Sequence, residues 1–161
     1  MQTLSENGEG ASALPRLVAA AACDVLSMTA GLEVTRIDCP AVPDETFDGF
    51  VGTLSLVGAR GGTLVVYCEP SVALAIAGGM LGLDGGDCDE ETVRDALGEL
   101  VNQIAGSIKR ALGAGTDMVI TVPVVIAGGQ MHHYVRTTSD PIAVELGHGG
   151  HRLFVCLWPT T

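Results

Sequence analysis

One stretch, residues 89–110, repeats its apolar side chains every three to four residues and so commits the chain to a long amphipathic helix. At about 100° per residue, Val93, Leu97, Leu100, Ile104, Ile108 and Ala111 fall on one stripe, which needs other elements to bury it. Asp89, Glu90 and Glu91 open the stretch and Lys109 and Arg110 come near its end, both suited to the helix dipole. The pattern predicts a helix from about 89 to 114. Its other side is unusual. Asp95, Glu99, Asn102 and Gly106 stand at i, i+4, i+7 and i+11, so they stack in a row. A glycine inside a helix costs roughly 1 kcal/mol relative to alanine. That cost makes sense where another surface approaches the backbone closely. On an arbitrary helix an ordinary solvated face is the first account of Glu99 and Asn102, because charged and amide side chains usually sit outside. The glycine in line with them favours a docking face.

The rest of the chain supplies partners for that stripe. Leu14–Ala30 reads as a second long helix, with Ser12 as N-cap and Gly31 as C-terminal stop. Leu32–Asp38 alternates like a strand, and residues 40–48 form a loop. Phe50–Val57 and Gly62–Cys68 make a hairpin about the turn Gly58-Ala59-Arg60-Gly61. Pro70 opens a short helix ending near Gly82, and residues 83–88 form an acidic, Gly-rich loop. Met118–Ala127 is a strand broken at Pro123, followed by a turn at Gly128-Gly129. Gln130–Thr138, Pro141–Leu146 and Arg152–Trp158 are further strands, the last two joined by the turn 147–150. Hairpin connections dominate. The expected class is α+β: a mostly antiparallel sheet packed with two long helices and one short one. Residues 1–11 are polar and Gly-containing and read as a flexible tail. Residues 12–161 read as a single domain, long enough for a sizeable core.

Bulk properties narrow the function. A net charge of -11 argues against a nucleic-acid or anionic-membrane binder, which works by neutralising phosphates with Lys and Arg. An acidic surface suits a basic protein partner or none. The five cysteines are odd in number and widely spread, so they read as reduced thiols in the cytoplasm rather than a disulfide or zinc framework. The N-terminus has no basic n-region, and the expectation is no secretory signal. The longest apolar runs, 70–83 and 118–131, are interrupted by glycine or proline and fall short of the roughly 18–20 residues of a membrane span. His132, His133, His148 and His151 have no acid or thiol cluster close in sequence. Neighbours His132 and His133 point to opposite faces of a strand, so exposed hairpin residues are the simpler reading and no metal of its own is expected. Cys23 has no nearby histidine to activate it as a nucleophile. The Gly-rich segments 58–62 and 83–87 lack the ending of a phosphate loop. Met28, Met80 and Met118 read as core fillers.

Four blocks, in order, resemble the CheX-like branch of the CheC/CheX/FliY chemotaxis phosphatases. They are Gly49–Gly58 with Gly61–Val66, Ala77–Gly82, Asp95–Gly106 and Thr121–Gly128. The resemblance spans about residues 12–158, most of the single domain. It implies a CheC/CheX-like fold. It also implies removal of phosphate from the aspartate of a CheY-type receiver domain, whose bound Mg²⁺ the receiver itself supplies. By resemblance, Asn102 orients the attacking water and Glu99 pairs with a receiver lysine to fix the docking register. The carboxamide is neutral, donates and accepts at once, and does not repel a phosphoryl group. Asp95 and Gly106 are assigned to partner contact, with plain solvation an equal account of Asp95. On the first helix, Asp24 and Ser27 occupy the i, i+3 spacing but are not a Glu/Asn pair, so one active helix per chain is expected. The CheX-like branch also implies a homodimer joined through the sheet. Two other functions are open: a non-catalytic module that binds a phosphorylated receiver or flagellar switch protein, and a structural homodimer without a ligand.

Overall fold

The computed structural model describes residues 7–37, 42–43, 46–137 and 139–160. Three helices, α1 (Asn7–Ala30), α2 (Pro70–Leu81) and α3 (Glu90–Ala111), cover one face of a seven-stranded sheet. The strands are β1 (Thr35–Ile37), β2 (Phe47–Val57), β3 (Gly62–Cys68), β4 (Val119–Ile120), β5 (Val124–Met131), β6 (Ile142–His148) and β7 (His151–Pro159). Their order is β1-β6-β7-β3-β2-β4, with β5 also paired to β2, and every pairing is antiparallel. The fold is therefore the expected α+β class.

Most helix-facing positions in the sheet are apolar. Leu64, Val66, Leu153, Val155 and Leu157 meet Leu97, Leu100, Ile104 and Ile108 of α3 in one core. The central strands β3 and β7 are buried on both faces, so their apolar residues run almost continuously instead of alternating. On the far face Phe47, Val51, Val65, Tyr67, Phe154, Cys156 and Trp158 form a second core. Phe47 stands edge-on to both Tyr67 and Phe154, with centroids 5.5 and 6.5 Å apart.

Several elements of α3 are set by its sequence. Asp89 caps it, accepting a 2.8 Å hydrogen bond from the Thr92 N–H. Hydrogen bonding from Thr92, through its side chain and its backbone, holds the Asp89 carboxyl below the usual range. At the other end the Arg60 guanidinium, from the β2–β3 turn, donates to the Leu112 carbonyl. Ala111 is exposed, because the helix ends there and turns away from the core. Gly52 of β2 lets α3 lie against the sheet: a Cβ there would come within 2.7 Å of Val101 Cγ2.

The structure differs from the sequence reading in five places. First, α1 begins at Asn7, so Ser12 lies inside the helix and does not cap it, and residues 7–11 are helical. Residues 7–13 hold no β-branched side chain, but Gly8 and Gly10 weigh against helix, so propensity does not account for the early start; Pro15 removes one donor without ending the helix. Second, α1 contains a window, Ala13–Ala30, that is long and apolar enough by composition to cross a membrane. Reading for unbroken apolar runs missed it because Arg16 and Asp24 interrupt it. Here Val18, Ala22 and Leu26 are fully buried against the rest of the domain. Third, the strand expected over 32–38 spans only Thr35–Ile37 among the described residues. Gly31, at φ 63°, donates to the Ser27 carbonyl, and buried Leu32 finishes the helix end. Fourth, Gly128-Gly129 is no turn. β5 runs through it to Met131, and the register shift opposite Phe47–Gly49 is absorbed by Gln130 at φ 50°, whose N–H binds Asp48. Fifth, residues 132–137 pair with no strand. They keep a two-residue alternation, with His133 and Val135 turned in and His132, Tyr134 and Arg136 out, but they lie over the second core instead of joining the sheet edge. The expected 147–150 turn tightens to Gly149-Gly150, at φ 58° and 81°, between paired His148 and His151.

Candidate functional site

The break in the edge of the sheet builds one wall of the site. Strands β4 and β5 both pair with β2 and are separated by Thr121-Val122-Pro123. Thr121 holds the gap to β2: its N–H donates to the Ser55 carbonyl (2.9 Å) and its hydroxyl accepts from the Ser55 N–H (2.8 Å). Pro123 has no N–H to continue the ladder. This kinked edge faces the exposed side of α3 across an open groove of about 750 Å³. Asp95, Glu99 and Asn102 line it from α3, and Thr121, Val122 and Pro123 from the edge. Gly98 forms the floor between them. A Cβ there would stand 3.8 Å from Pro123 and Val125, in ordinary contact.

A second groove, between α1 and α3, adjoins the first. Asp24, Met28 and Thr29 line one side, and Asn102, Gly106 and Arg110 the other. Asn102 borders both grooves and so stands on the ridge between them. Among the described residues no side-chain hydrogen bond engages its carboxamide. Glu99, by contrast, is held. Gln103 Nε2 donates to Glu99 Oε1 (2.8 Å), and the Thr29 hydroxyl donates to Gln103 Oε1 (2.6 Å).

The structure thus gathers Asp95, Glu99 and Asn102 at one groove and Asn102 with Gly106 at the next. Met28 is not a core filler. It stands 86% exposed beside Asn102, as Val122 does at 85% on the opposite rim, so two apolar side chains flank the ridge. Thr29, Gln103 and the Thr121–Pro123 wall were not marked out as site residues by the sequence. The break at Pro123 was the one available signal for the wall.

The charge of the site is acidic. Glu91, Asp95 and Glu99 face the first groove, and its cation, Arg94, is ion-paired to Glu90. Such a lip attracts an ammonium group and repels a bare phosphate. Among the described residues no group of three or more His, Cys, Asp or Glu side chains could hold a metal ion. His133 is half-buried and shares a 3.0 Å hydrogen bond with the Tyr67 hydroxyl, which corrects its reading as an exposed residue. His148 contacts the Glu33 carbonyl. Burial pushes the Cys23, Cys68 and Cys156 thiols up, that of Cys156 to about 12, so they stay protonated and unreactive. Cys23, Cys68, Cys88 and Cys156 are free; Cys39 lies outside the described residues.

A sheet with all three described helices on one face, and an open carboxylate–carboxamide ridge on the exposed side of α3, defines a CheC/CheX-like architecture. Residues 50–146, more than half the chain, match the family model described as chemotaxis phosphatase CheX, and the chain belongs to that family. It is similar to chemotaxis protein CheX from Vibrio vulnificus: 26% identity, TM-score 0.76, covering 91% of this chain and 96% of that one. A CheX from Borrelia burgdorferi, solved as a CheX–CheY–BeF₃–Mg²⁺ complex, has the same fold at 23% identity and TM-score 0.76, covering 91% and 97%. FliY from Thermotoga maritima shares it more distantly, at 20% identity and TM-score 0.64, covering 98% and 92%. No curated protein sequence matches the chain.

Proposed function

We propose that this protein hydrolyses the aspartyl phosphate of a CheY-type receiver domain, using α3 as its active element. The observation that carries the proposal is the ridge. Asn102 projects an uncommitted carboxamide between two open grooves, one helical turn from a carboxylate that is already held in place. Hydrolysis of an acyl phosphate is mainly a problem of placing water in line with the leaving oxygen. A carboxamide that inserts beside the phosphoryl group can accept from that water and donate to a phosphoryl oxygen at once. Glu99 takes the docking role. In an acidic groove it would repel phosphate unless a cation came with it, and a receiver lysine meets that need. Mg²⁺ belongs to the receiver. The complex described for the Borrelia protein pairs a CheX with CheY, BeF₃ and Mg²⁺, and supports a CheY-type receiver as the partner proposed here.

Gly106 supports a docked surface. A Cβ there would meet only the tip of Arg110, at 3.7 Å, so the chain's own packing does not call for glycine. Its helix penalty of about 1 kcal/mol is then offset by something outside the chain. Asp95 supplies negative charge on the same face for a basic partner surface.

We further propose a homodimer through the sheet and a cytoplasmic location. Edge strand β5 pairs only with β2 among the described residues and leaves Val124 and Ile126 exposed. A second reading is a binding module for a phosphorylated receiver or a flagellar switch protein; the acidic groove beside α3 would serve docking of a basic surface without any chemistry. The two readings diverge in one assay. A phosphatase shortens the lifetime of a phosphorylated receiver and Asn102→Ala abolishes the effect, whereas an inert binder lengthens it.

A further inference from the structure

We infer that Gln103 and Thr29 are positioning residues for Glu99, so that α1 takes part in receiver recognition through a relay rather than through contact with the receiver. The inference rests on Glu99 as the docking group. Glu99 is exposed, and a free glutamate side chain in water samples many rotamers. Fixing it at the moment of docking weakens binding by the lost freedom of a rotamer-rich side chain. In this protein the side chain is fixed beforehand. Its Oε1 accepts from Gln103 Nε2 at 2.8 Å, and Gln103 Oε1 accepts from the Thr29 hydroxyl at 2.6 Å.

The chemistry of the three groups dictates the direction of this relay. An ionised carboxylate only accepts, so the amide must turn its NH₂ toward Glu99. Its oxygen then faces α1 and needs a donor, which a hydroxyl supplies and a methyl does not. Thr29 sits in the last turn of α1, just before Gly31 ends the helix, and is half-buried, as is Gln103. Both are less exposed than the carboxylate they serve. The relay leaves Glu99 Oε2 for an incoming ammonium group.

Stability alone does not explain the pair. α1 and α3 already pack through the main core, where Ala22, Leu26, Ile104 and Ile108 are fully buried. One half-exposed hydrogen bond adds little to that. Losing it, however, frees Gln103 and Glu99 together.

The test compares Thr29→Val, which keeps the shape and removes the donor, Thr29→Ser, which restores a hydroxyl, and Gln103→Met. Phosphate release is followed from a CheY-type receiver kept phosphorylated by a small phosphodonor, with thermal melts confirming that each variant folds. Thr29→Val and Gln103→Met should raise KM for the phosphorylated receiver roughly three- to tenfold with kcat changed less than about twofold. Thr29→Ser should behave like the parent. If Asn102→Ala is inactive while Thr29→Val and Gln103→Met keep the parent KM, the relay is refuted and the phosphatase reading stands. An equal fall in kcat across both variants without a change in KM also refutes it. If Asn102→Ala matches the parent, the reading beneath the relay falls, and the relay with it.

Discussion

Gly52 fixes the height of α3, the helix proposed to carry the chemistry, above the sheet. Replacing it with alanine puts a Cβ within 2.7 Å of Val101 Cγ2, whereas an ordinary contact is 3.4 Å or more. One side must therefore yield by about 0.7 Å. Val101 cannot simply rotate away. It is fully buried, and a β-branched side chain in a helix is largely held in one rotamer. The strain falls on α3 itself, with Asn102 as the next residue. Overpacking of this kind costs about 1–3 kcal/mol, and a displacement approaching 1 Å at a positioning group can lower turnover up to ~100-fold. Urea unfolding should show Gly52→Ala destabilised within that range, and receiver dephosphorylation should fall mainly in kcat. Val101→Ala on its own leaves a cavity and also destabilises. Combining the two lets the new methyl occupy the vacated space, so the double variant should be more stable than the sum of the single losses predicts, by at least about 0.5 kcal/mol. Strict additivity, or a Gly52→Ala protein as stable and active as the parent, would refute the close-approach argument.

Gly106→Ala should stabilise the protein by about 1 kcal/mol, since its Cβ meets only Arg110 at 3.7 Å, yet raise KM for the receiver; a stabilised variant with unchanged KM removes Gly106 from the docking face. Glu99→Gln should raise KM and flatten its dependence on ionic strength between low salt and about 0.5 M, because the carboxylate–ammonium attraction is what salt screens; equal salt slopes for parent and variant would contradict the docking role. Burial lowers the pKa of His133 in the folded state, so the segment 132–137 is held by neutral imidazole. A depressed folded pKa contributes stability above the unfolded value of about 6.5 and loses it as pH falls through the folded one. The urea midpoint should therefore drop on going from pH 7.5 to 5.5, and His133→Phe should reduce that drop. An unaltered pH profile in the variant would show that His133 is not the group responsible.

Local patterning carried most of the fold. The stripe Val93–Ile108 and the Gly58–Gly61 turn each act through neighbours a few residues away, so the sequence displays them directly, whereas Asp89, read as part of the first turn of α3, caps the helix instead. The extent of α1 was less legible, because Ser12 and Pro15 resemble a helix start, yet the helix runs through both from Asn7. Residues 132–137 alternate as a strand does, and alternation reports two faces without saying whether a ladder partner exists. At the site, the row of Asp95, Glu99, Asn102 and Gly106 was visible by helical spacing alone. Its surroundings were not. Thr29 and Gln103 lie 74 residues apart, and the Thr121–Pro123 wall meets α3 only through the register of β5 on β2. Met28 was misread because methionine usually fills cores, and the helical phase of α1 places it outward.

The central claim is that Asn102 performs chemistry on a phosphorylated partner. It is tested most directly by the decay of a phosphorylated CheY-type receiver alone, with this protein, and with its Asn102→Ala variant, after the phosphodonor is removed. The account predicts faster decay with the parent protein and decay at the receiver's own rate with the variant. Equal acceleration by parent and variant, or a receiver phosphate that lasts as long or longer with the parent than without it, would contradict it.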